Sequence, residues 1–328
     1  MASQKIDEID AKILRDLLVD ARKEFTEIAD EAGVSKDIIW QHYRRMKIEG
    51  LIVGATVQLD YRALGYNFST SFFVSAVLEK QDEVAAGLEK IHGIYGAYRC
   101  GCSSELWAIG TLKNTAELEY AKQSIKKLNG VLGLRTEIWT GNRNNPENLS
   151  TLCTKEQSKE HVKTKRLIRS SNAKKSDLVD SIDEQIIDKL AANGRLSFNK
   201  MAKELKISTD TVARRYSKLR KDGIIRTVIQ IDSMKLGYVA DAIISIAVAA
   251  PDNLSEIIEK LENIPDVIGL WKIAGAFDLD VYAKLRTLEQ LISFQEEVSG
   301  LPGIMKMETV LLSKFPLMPY PREHMSDF

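Results

Sequence analysis

The strongest constraint on this 328-residue chain is an internal duplication. Ile9-Asp10 aligns with Ile182-Asp183, Ala29 with Ala202, Ser35 with Ser208, Tyr43 with Tyr216 and Gly50-Leu51-Ile52 with Gly223-Ile224-Ile225, all at an offset of 173 residues. The register then slips by one, placing Gln58, Asp60 and Leu64-Gly65-Tyr66 on Gln230, Asp232 and Leu236-Gly237-Tyr238. It returns to 173 with Gly96 on Gly269, Gly130 on Gly303 and Thr136 on Thr309. Repeat one therefore spans about residues 6–140 and repeat two about 179–313, so one structural unit stands twice in the chain. The length also exceeds what a single hydrophobic core organises.

Within repeat two, Ile182, Ile186, Ile187 and Leu190 recur at helical spacing, and Asn193-Gly194 suits a left-handed cap at the end of that helix. Ser197 caps a second helix carrying Met201, Ala202 and Leu205. After a break at Lys206-Ile207, Ser208 caps a third with Val212, Tyr216 and Leu219 on one face. Repeat one reads alike: Ile9, Ile13 and Leu17, then Thr26 to Ala32, a turn at Gly33-Val34, and a helix capped by Ser35 with Ile39, Tyr43 and Met46 inside. Three short helices with a tight turn before the third describe a helix-turn-helix, whose third helix fits the DNA major groove.

The period then changes to that of strands. Repeat two predicts strands at 229–232, 240–250, 267–273, 278–285 and 304–313, with helices at 254–262 and 287–298. Repeat one follows suit from Phe68 to Trp139. The order strand, helix, two strands, helix, strand is ferredoxin-like. The expected fold class is α+β: two tandem units, each a (winged) helix-turn-helix domain followed by a ferredoxin-like βαββαβ sensing domain. The expected boundaries are residues 1–55 and 56–140 for the first unit, a basic linker at 141–178, 179–227 and 228–315 for the second, and a tail at 316–328.

Composition bounds the surroundings. Hydrophobic residues make up 44% and charged residues 28%, the balance of a globular chain. The longest apolar stretch, Ala242 to Ala250, is half of what a bilayer helix needs, and Met1 to Lys5 has no signal-peptide pattern. No membrane association and a cytoplasmic location are expected. Cys100, Cys102 and Cys153 are too few for a disulfide scaffold. Cys100-Gly101-Cys102 lacks a second ligand pair nearby, and His42, His92, His161 and His324 form no metal or nucleophile pattern, so neither a metal nor another cofactor is expected. The formal net charge of zero hides local patches, among them eight Lys and Arg side chains within residues 153–176.

At this point the residues carry a family likeness. Ile182-Asp183, Met201-Ala202, Ser208-Thr209-Asp210-Thr211-Val212 with Arg215 and Leu219, Asp222-Gly223-Ile224-Ile225, Leu236-Gly237 and Gly275-Ala276-Phe277-Asp278 together resemble the Lrp/AsnC family, the feast/famine regulators. The resemblance implies an α/β part that senses an effector, an amino acid, and that assembles into dimers and larger homo-oligomers. Two fused units would make one chain equivalent to a dimer. Repeat one departs from the pattern: Cys102, Ser104 and Glu105 stand where repeat two has Gly275, Phe277 and Asp278, and His42 stands for Arg215.

Outward positions on the third helices are the candidate contacts to double-stranded DNA: Lys36, Trp40, Gln41 and Arg44 in repeat one, and Thr209, Asp210, Arg214 and Lys218 in repeat two. An exposed Trp40 is costly unless it packs on another domain or on DNA. The candidate effector site is Gly275, Phe277 and Asp278, offering close backbone approach, an apolar wall and an acceptor for an amine. Two other functions compete with a sequence-specific transcriptional regulator. One is a siroheme-decarboxylase-like enzyme, which Tyr98, Arg99 and Leu106-Trp107 faintly resemble but which has a histidine where Gly96-Ala97 stand. The other is a sensing module without DNA binding.

Overall fold

The computed structural model describes residues 6–101, 105–152, 179–249, 254–312 and 317–318. The basic run of residues 153–176, Cys102, Ser104 and Cys153 lie outside the described residues. Two compact units are present, and neither coincides with one repeat. The first gathers the described parts of residues 1–64, 145–238 and 316–325; the second, those of 65–144 and 239–315. Each unit therefore pairs the same part of both repeats.

In the first unit, α1 (Glu8–Val19), α2 (Phe25–Ala32) and α3 (Lys36–Ile48) form one triad. Asp7 caps α1 by accepting from Asp10 N, while the Asp10 side chain accepts from Asp7 N. Helices Ser181–Ala192 (α6), Phe198–Leu205 (α7) and Thr209–Lys221 (α8) form the second triad, and Asp180 with Asp183 repeats the capping box. Inside lie Ile13, Leu14, Leu17, Ile39 and Met46 in one triad, and Ile186, Leu190, Val212 and Leu219 in the other, all buried.

The expected left-handed cap at Asn193-Gly194 is not formed. Asn193 is extended at φ −154°, and the left-handed residue falls instead at Lys206, φ 56°, which ends α7. Space is what requires glycine at 194: a Cβ there would stand 2.6 Å from the Thr56 carbonyl oxygen. The approach is this close because Gly194 N donates to Ala55 O at 2.8 Å, and Ala21 N donates to Thr227 O at 2.8 Å in mirror fashion.

These bonds flank an antiparallel pair, β1 (Ile52–Leu59) with β6 (Ile225–Asp232), joined on its far edge by β11 (Leu317–Met318). Strand β6 begins earlier than its sequence suggested, because the partner strand of the other repeat completes its hydrogen bonds. Ala55 pairs with Ile229 and Val57 with Thr227, which are images of each other under the local offset of 172, so a pseudo-twofold axis passes through the Thr56–Val228 pair. Two arginines cross this axis reciprocally. Arg22 lies 4.5 Å from the Phe198 ring centroid and 5.1 Å from that of Tyr216; Arg195 lies 4.9 Å from Phe25 and 5.2 Å from Tyr43. Arg22 also donates to Gly194 O at 3.0 Å and Leu196 O at 2.6 Å.

In the second unit, β2 (Phe68–Ala76), α4 (Gln81–Leu88), β3 (Ile94–Arg99), β4 (Glu105–Leu112), α5 (Thr115–Lys126) and β5 (Val131–Asn144) form one βαββαβ array. Its counterpart is β7 (Ala240–Val248), α9 (Leu254–Glu262), β8 (Val267–Ala274), β9 (Leu279–Leu285), α10 (Leu288–Ser299) and β10 (Ile304–Leu312). The eight strands are antiparallel in the order β10-β7-β9-β8-β5-β2-β4-β3. Strand β5 overruns its expected end at Trp139 because Gly141 to Asn144 pair with Lys272 to Gly269. The row's two ends also meet: Cys100 bridges Leu312, the image of the Trp139–Ile273 pair, and Gly101 N donates to Leu311 O at 2.6 Å. Each array buries one face under its helices, with Phe72, Val74, Leu106 and Ala108 in one and Ile244, Ile246, Leu279 and Val281 in the other.

The internal pairing implied by the duplication is thus present. Gly194→Ala is expected to lower stability by about 1–3 kcal/mol, since its Cβ meets backbone rather than a flexible side chain. Urea unfolding of the full chain measures this, and an unchanged midpoint would show that the two triads do not approach as described.

Candidate nucleic-acid interface and sensing face

Each third helix is fixed by its cap and by α1 or α6. Ser35 accepts from Ile38 N, and Ser208 from Thr211 N at 3.0 Å. Asp10 is buried, and takes hydrogen bonds from His42 Nδ1 at 2.9 Å and from Arg45 Nη2. Burial alone would raise its carboxyl, but the bonds from Arg45 and His42 hold it below the usual carboxylate range. In repeat two, Arg215 alone makes the corresponding hydrogen bonds, reaching Asp183 at 2.9 Å and Asp180 at 2.7 Å. The exchange of Arg215 for His42 is therefore a local re-anchoring in which Arg45 joins the work. Asp7, Asp10 and His42 bring three potential metal-ligand atoms within 4.8 Å of one another, but Arg45 and the capping box already engage Asp10.

With Ile39, Tyr43 and Met46 turned inward, α3 leaves Lys36, Gln41 and Arg44 exposed. With Val212, Tyr216 and Leu219 inward, α8 leaves Thr209, Asp210, Arg214 and Lys218 exposed. Trp40 is 49% exposed and packs within its own domain, its ring 6.0 Å from Tyr43 in a stacked arrangement and 5.9 Å from Phe25. All eight expected DNA-facing residues therefore lie on the outer surface of two helices in one unit. Arg22 and Arg195, which tie the triads together, were not singled out from the sequence. Their signal was available: both are arginine at the 173-residue offset.

The candidate sensing face is different in kind. Gly275 adopts no left-handed conformation; its requirement is close approach, since a Cβ would stand 3.0 Å from Glu137 Cγ on β5. Phe277 is buried, with Arg135 5.3 Å and Lys306 4.9 Å from its ring centroid. Asp278 Oδ2 accepts from Val248 N at 2.8 Å. In repeat one, Glu105 receives Ser75 Oγ at 3.4 Å, and Cys100 is buried, its thiol pushed up to about 12 by desolvation. Tyr98 lies over Gly96, whose Cβ would stand 2.6 Å from the phenol oxygen, so the tyrosine itself requires glycine there.

Between the two arrays the inner strand faces carry aromatic and charged side chains. Trp139 stacks on Trp271 at 4.6 Å and 4°, and Trp107 and Trp139 both donate to Ser71 Oγ, at 3.1 and 3.0 Å. Beside them Glu137 and Asp280 are fully buried, and no side chain of matching chemistry stands at either position in the other repeat, which has Val310 and Trp107. Ser245 Oγ donates to Asp280 Oδ1 at 2.6 Å, and Arg135 Nε lies 3.5 Å from Glu137 Oε1. Burial raises both carboxyls above their ordinary range, Asp280 strongly; the charge of Glu137 pushes Asp280 further up, whereas Arg135 and a hydrogen bond from Asp280 partly offset the rise at Glu137. A proton on one supplies the missing hydrogen bond.

Comparison with known proteins matches this architecture. The AsnC-type helix-turn-helix domain matches residues 6–47 and 179–220, and the Lrp/AsnC ligand binding domain matches residues 241–318. An uncharacterized HTH-type transcriptional regulator of Pyrococcus abyssi is 30% identical over 158 residues, 48% of this chain and 99% of that protein. The chain belongs to the Lrp/AsnC family. Regulatory protein AsnC of Haemophilus influenzae is 28% identical over 142 residues, 43% of this chain and 95% of its own. Such relatives match under half of this Lrp/AsnC chain while being covered almost whole, as its duplication requires. Among solved structures, the siroheme decarboxylase NirDL shares the fold along 98% of this chain and 94% of its own, with a TM-score of 0.62 and 16% identity. Among the described residues, no helix is long and apolar enough to cross a membrane.

The buried carboxyls give this Lrp/AsnC chain a signed pH dependence. Because the folded protein raises their affinity for protons, their contribution to stability is greatest in acid and is lost as pH climbs above the ordinary carboxylate range. Asp280→Asn, whose amide can donate to Glu137, is expected to flatten this loss. Thermal melting between pH 5 and pH 8 at constant ionic strength should show the parent's midpoint falling more steeply than the variant's; parallel curves would refute the assignment.

Proposed function

We propose that this Lrp/AsnC-family chain is a sequence-specific DNA-binding transcriptional regulator whose two helix-turn-helix domains act as the two halves of one reading head. The observation that carries this reading is the pair of third helices, set about a pseudo-twofold axis with Lys36, Trp40, Gln41, Arg44, Thr209, Asp210, Arg214 and Lys218 facing outward. Related proteins named as transcriptional regulators support it. The likeness to a decarboxylase is one of fold.

The finer part of the reading is control by a small effector, for which the family's ligand binding domain over residues 241–318 is the support. An amino acid is the class assigned here. Asp278 spends Oδ2 on Val248 N, and its other oxygen is the acceptor for an amine, with Gly275 exposed beside it.

Arg214→Ala is expected to weaken specific DNA binding by about 1–3 kcal/mol at fixed salt with an unchanged circular dichroism spectrum. Full affinity in the variant would remove Arg214 from the interface. For the effector, calorimetry with the twenty amino acids should find heat of binding for at least one that Asp278→Ala abolishes and Glu105→Ala spares. Equal losses, or no heat with any of them, would overturn the assignment of that turn.

A further inference from the structure

The two third helices are presented alike and surfaced differently. Ile39 and Val212, Tyr43 and Tyr216, and Met46 and Leu219 are buried counterparts, and the helices span equivalent residues, Lys36–Ile48 and Thr209–Lys221. The strand pair behind them is symmetric about Thr56 and Val228. The backbone therefore offers both helices to a partner as images of each other. Their outward side chains are not images. Lys36 corresponds to Thr209, Trp40 to Ala213, Gln41 to Arg214, Arg44 to Ser217 and Ile48 to Lys221; Asp37 and Asp210 alone are identical among these outward pairs.

A symmetric dimer reads a palindrome because identical side chains meet identical base edges in each half-site. A tandem chain is free of that requirement, since covalent linkage brings one copy of each helix to every site. The matched pair Gln41 and Arg214 bears on this most directly, both being exposed on the first half of their helices. The glutamine amide donates and accepts, which fits adenine N6 and N7; the guanidinium only donates, which fits guanine O6 and N7. Arginine has no acceptor for the adenine amine. Trp40, held against Tyr43 and Phe25, also adds an indole where Ala213 adds one carbon, so the helices differ in how closely they approach the groove.

We propose that this chain recognises a non-palindromic duplex built of two unlike half-sites, with adenine specified by Gln41 in one and guanine specified by Arg214 in the other. The inference rests on the DNA-binding reading above and adds the form of the site.

Selection of bound duplexes from a random library by the full chain at fixed salt, followed by sequencing, tests it. The parent protein should enrich two specified half-sites of different sequence. Gln41→Arg should convert adenine to guanine in one half-site only, and Arg214→Gln should make the reverse change in the other only, each shifting preference about ten- to a hundredfold. A palindromic motif, a single specified half-site, or a substitution that alters both halves or neither would overturn the inference while leaving DNA binding intact. Retention of no duplex by the parent protein would overturn the DNA-binding reading and the inference with it. Should a variant fail to fold, the parent protein can be titrated with its selected duplex and with one in which one half-site is replaced by a copy of the other. A loss of about tenfold or more is expected, and equal affinity would overturn the proposal.

Discussion

Backbone pairing between the two copies is the interaction on which the rest of this molecule depends. In one unit β1 and β6 satisfy each other; in the other, the overrun of β5 along β8 and the Cys100–Leu312 bridge join what would be exposed strand edges of two separate arrays. A strand edge left open is a template for other chains, and here the partner edge is supplied by the same polypeptide. Main-chain bonds carry no sequence preference, which allows the two copies to diverge in their side chains while their frame stays symmetric.

That tolerance shows in the interiors as much as on the outward faces of the third helices. The seam of the first unit keeps matched arginines on matched aromatic rings. Between the arrays of the second unit the matching lapses: Glu137, Trp107 and Trp139 correspond to Val310, Asp280 and Leu312 in the other repeat. Replacing twin hydrophobic contacts with a buried carboxyl pair is costly unless a proton or a donor satisfies it. Lys284 shows the satisfied case on the same strand: fully buried, it lies 2.7 Å from Asp241, which also accepts from Tyr282 at 3.0 Å. One strand of this protein thus carries both a closed ion pair and a carboxyl that needs a proton.

Much of the plan is legible in the sequence. The duplication located both repeats, serines announced helix starts, and the spacing of Ile39, Tyr43 and Met46 against Gln41 and Arg44 separated the buried face from the exposed one. Errors fell where a distant segment decided the outcome. Asn193-Gly194 looks like a helix cap by its local chemistry, yet glycine is there for the Thr56 carbonyl of the other repeat. Strand β5 looks finished at Trp139, yet β8 extends it to Asn144.

The alternation along β9, with Leu279, Val281, Ala283 and Leu285 on one side and Asp280, Tyr282 and Lys284 on the other, reads as a sheet with one wet face. The structure buries both faces. Sequence by itself determined the helices of both triads, the βαββαβ order, the duplication and the outward side chains of the third helices, because periodicity and caps act within a few residues. Tertiary structure alone decided through which strands the like halves pair, that the polar face of β9 is interior, and that Phe277 and Asp278 are engaged by Arg135, Lys306 and Val248. Those outcomes depend on hydrogen bonds and burial between segments more than a hundred residues apart or across a fold, and local pattern carries no record of such partners.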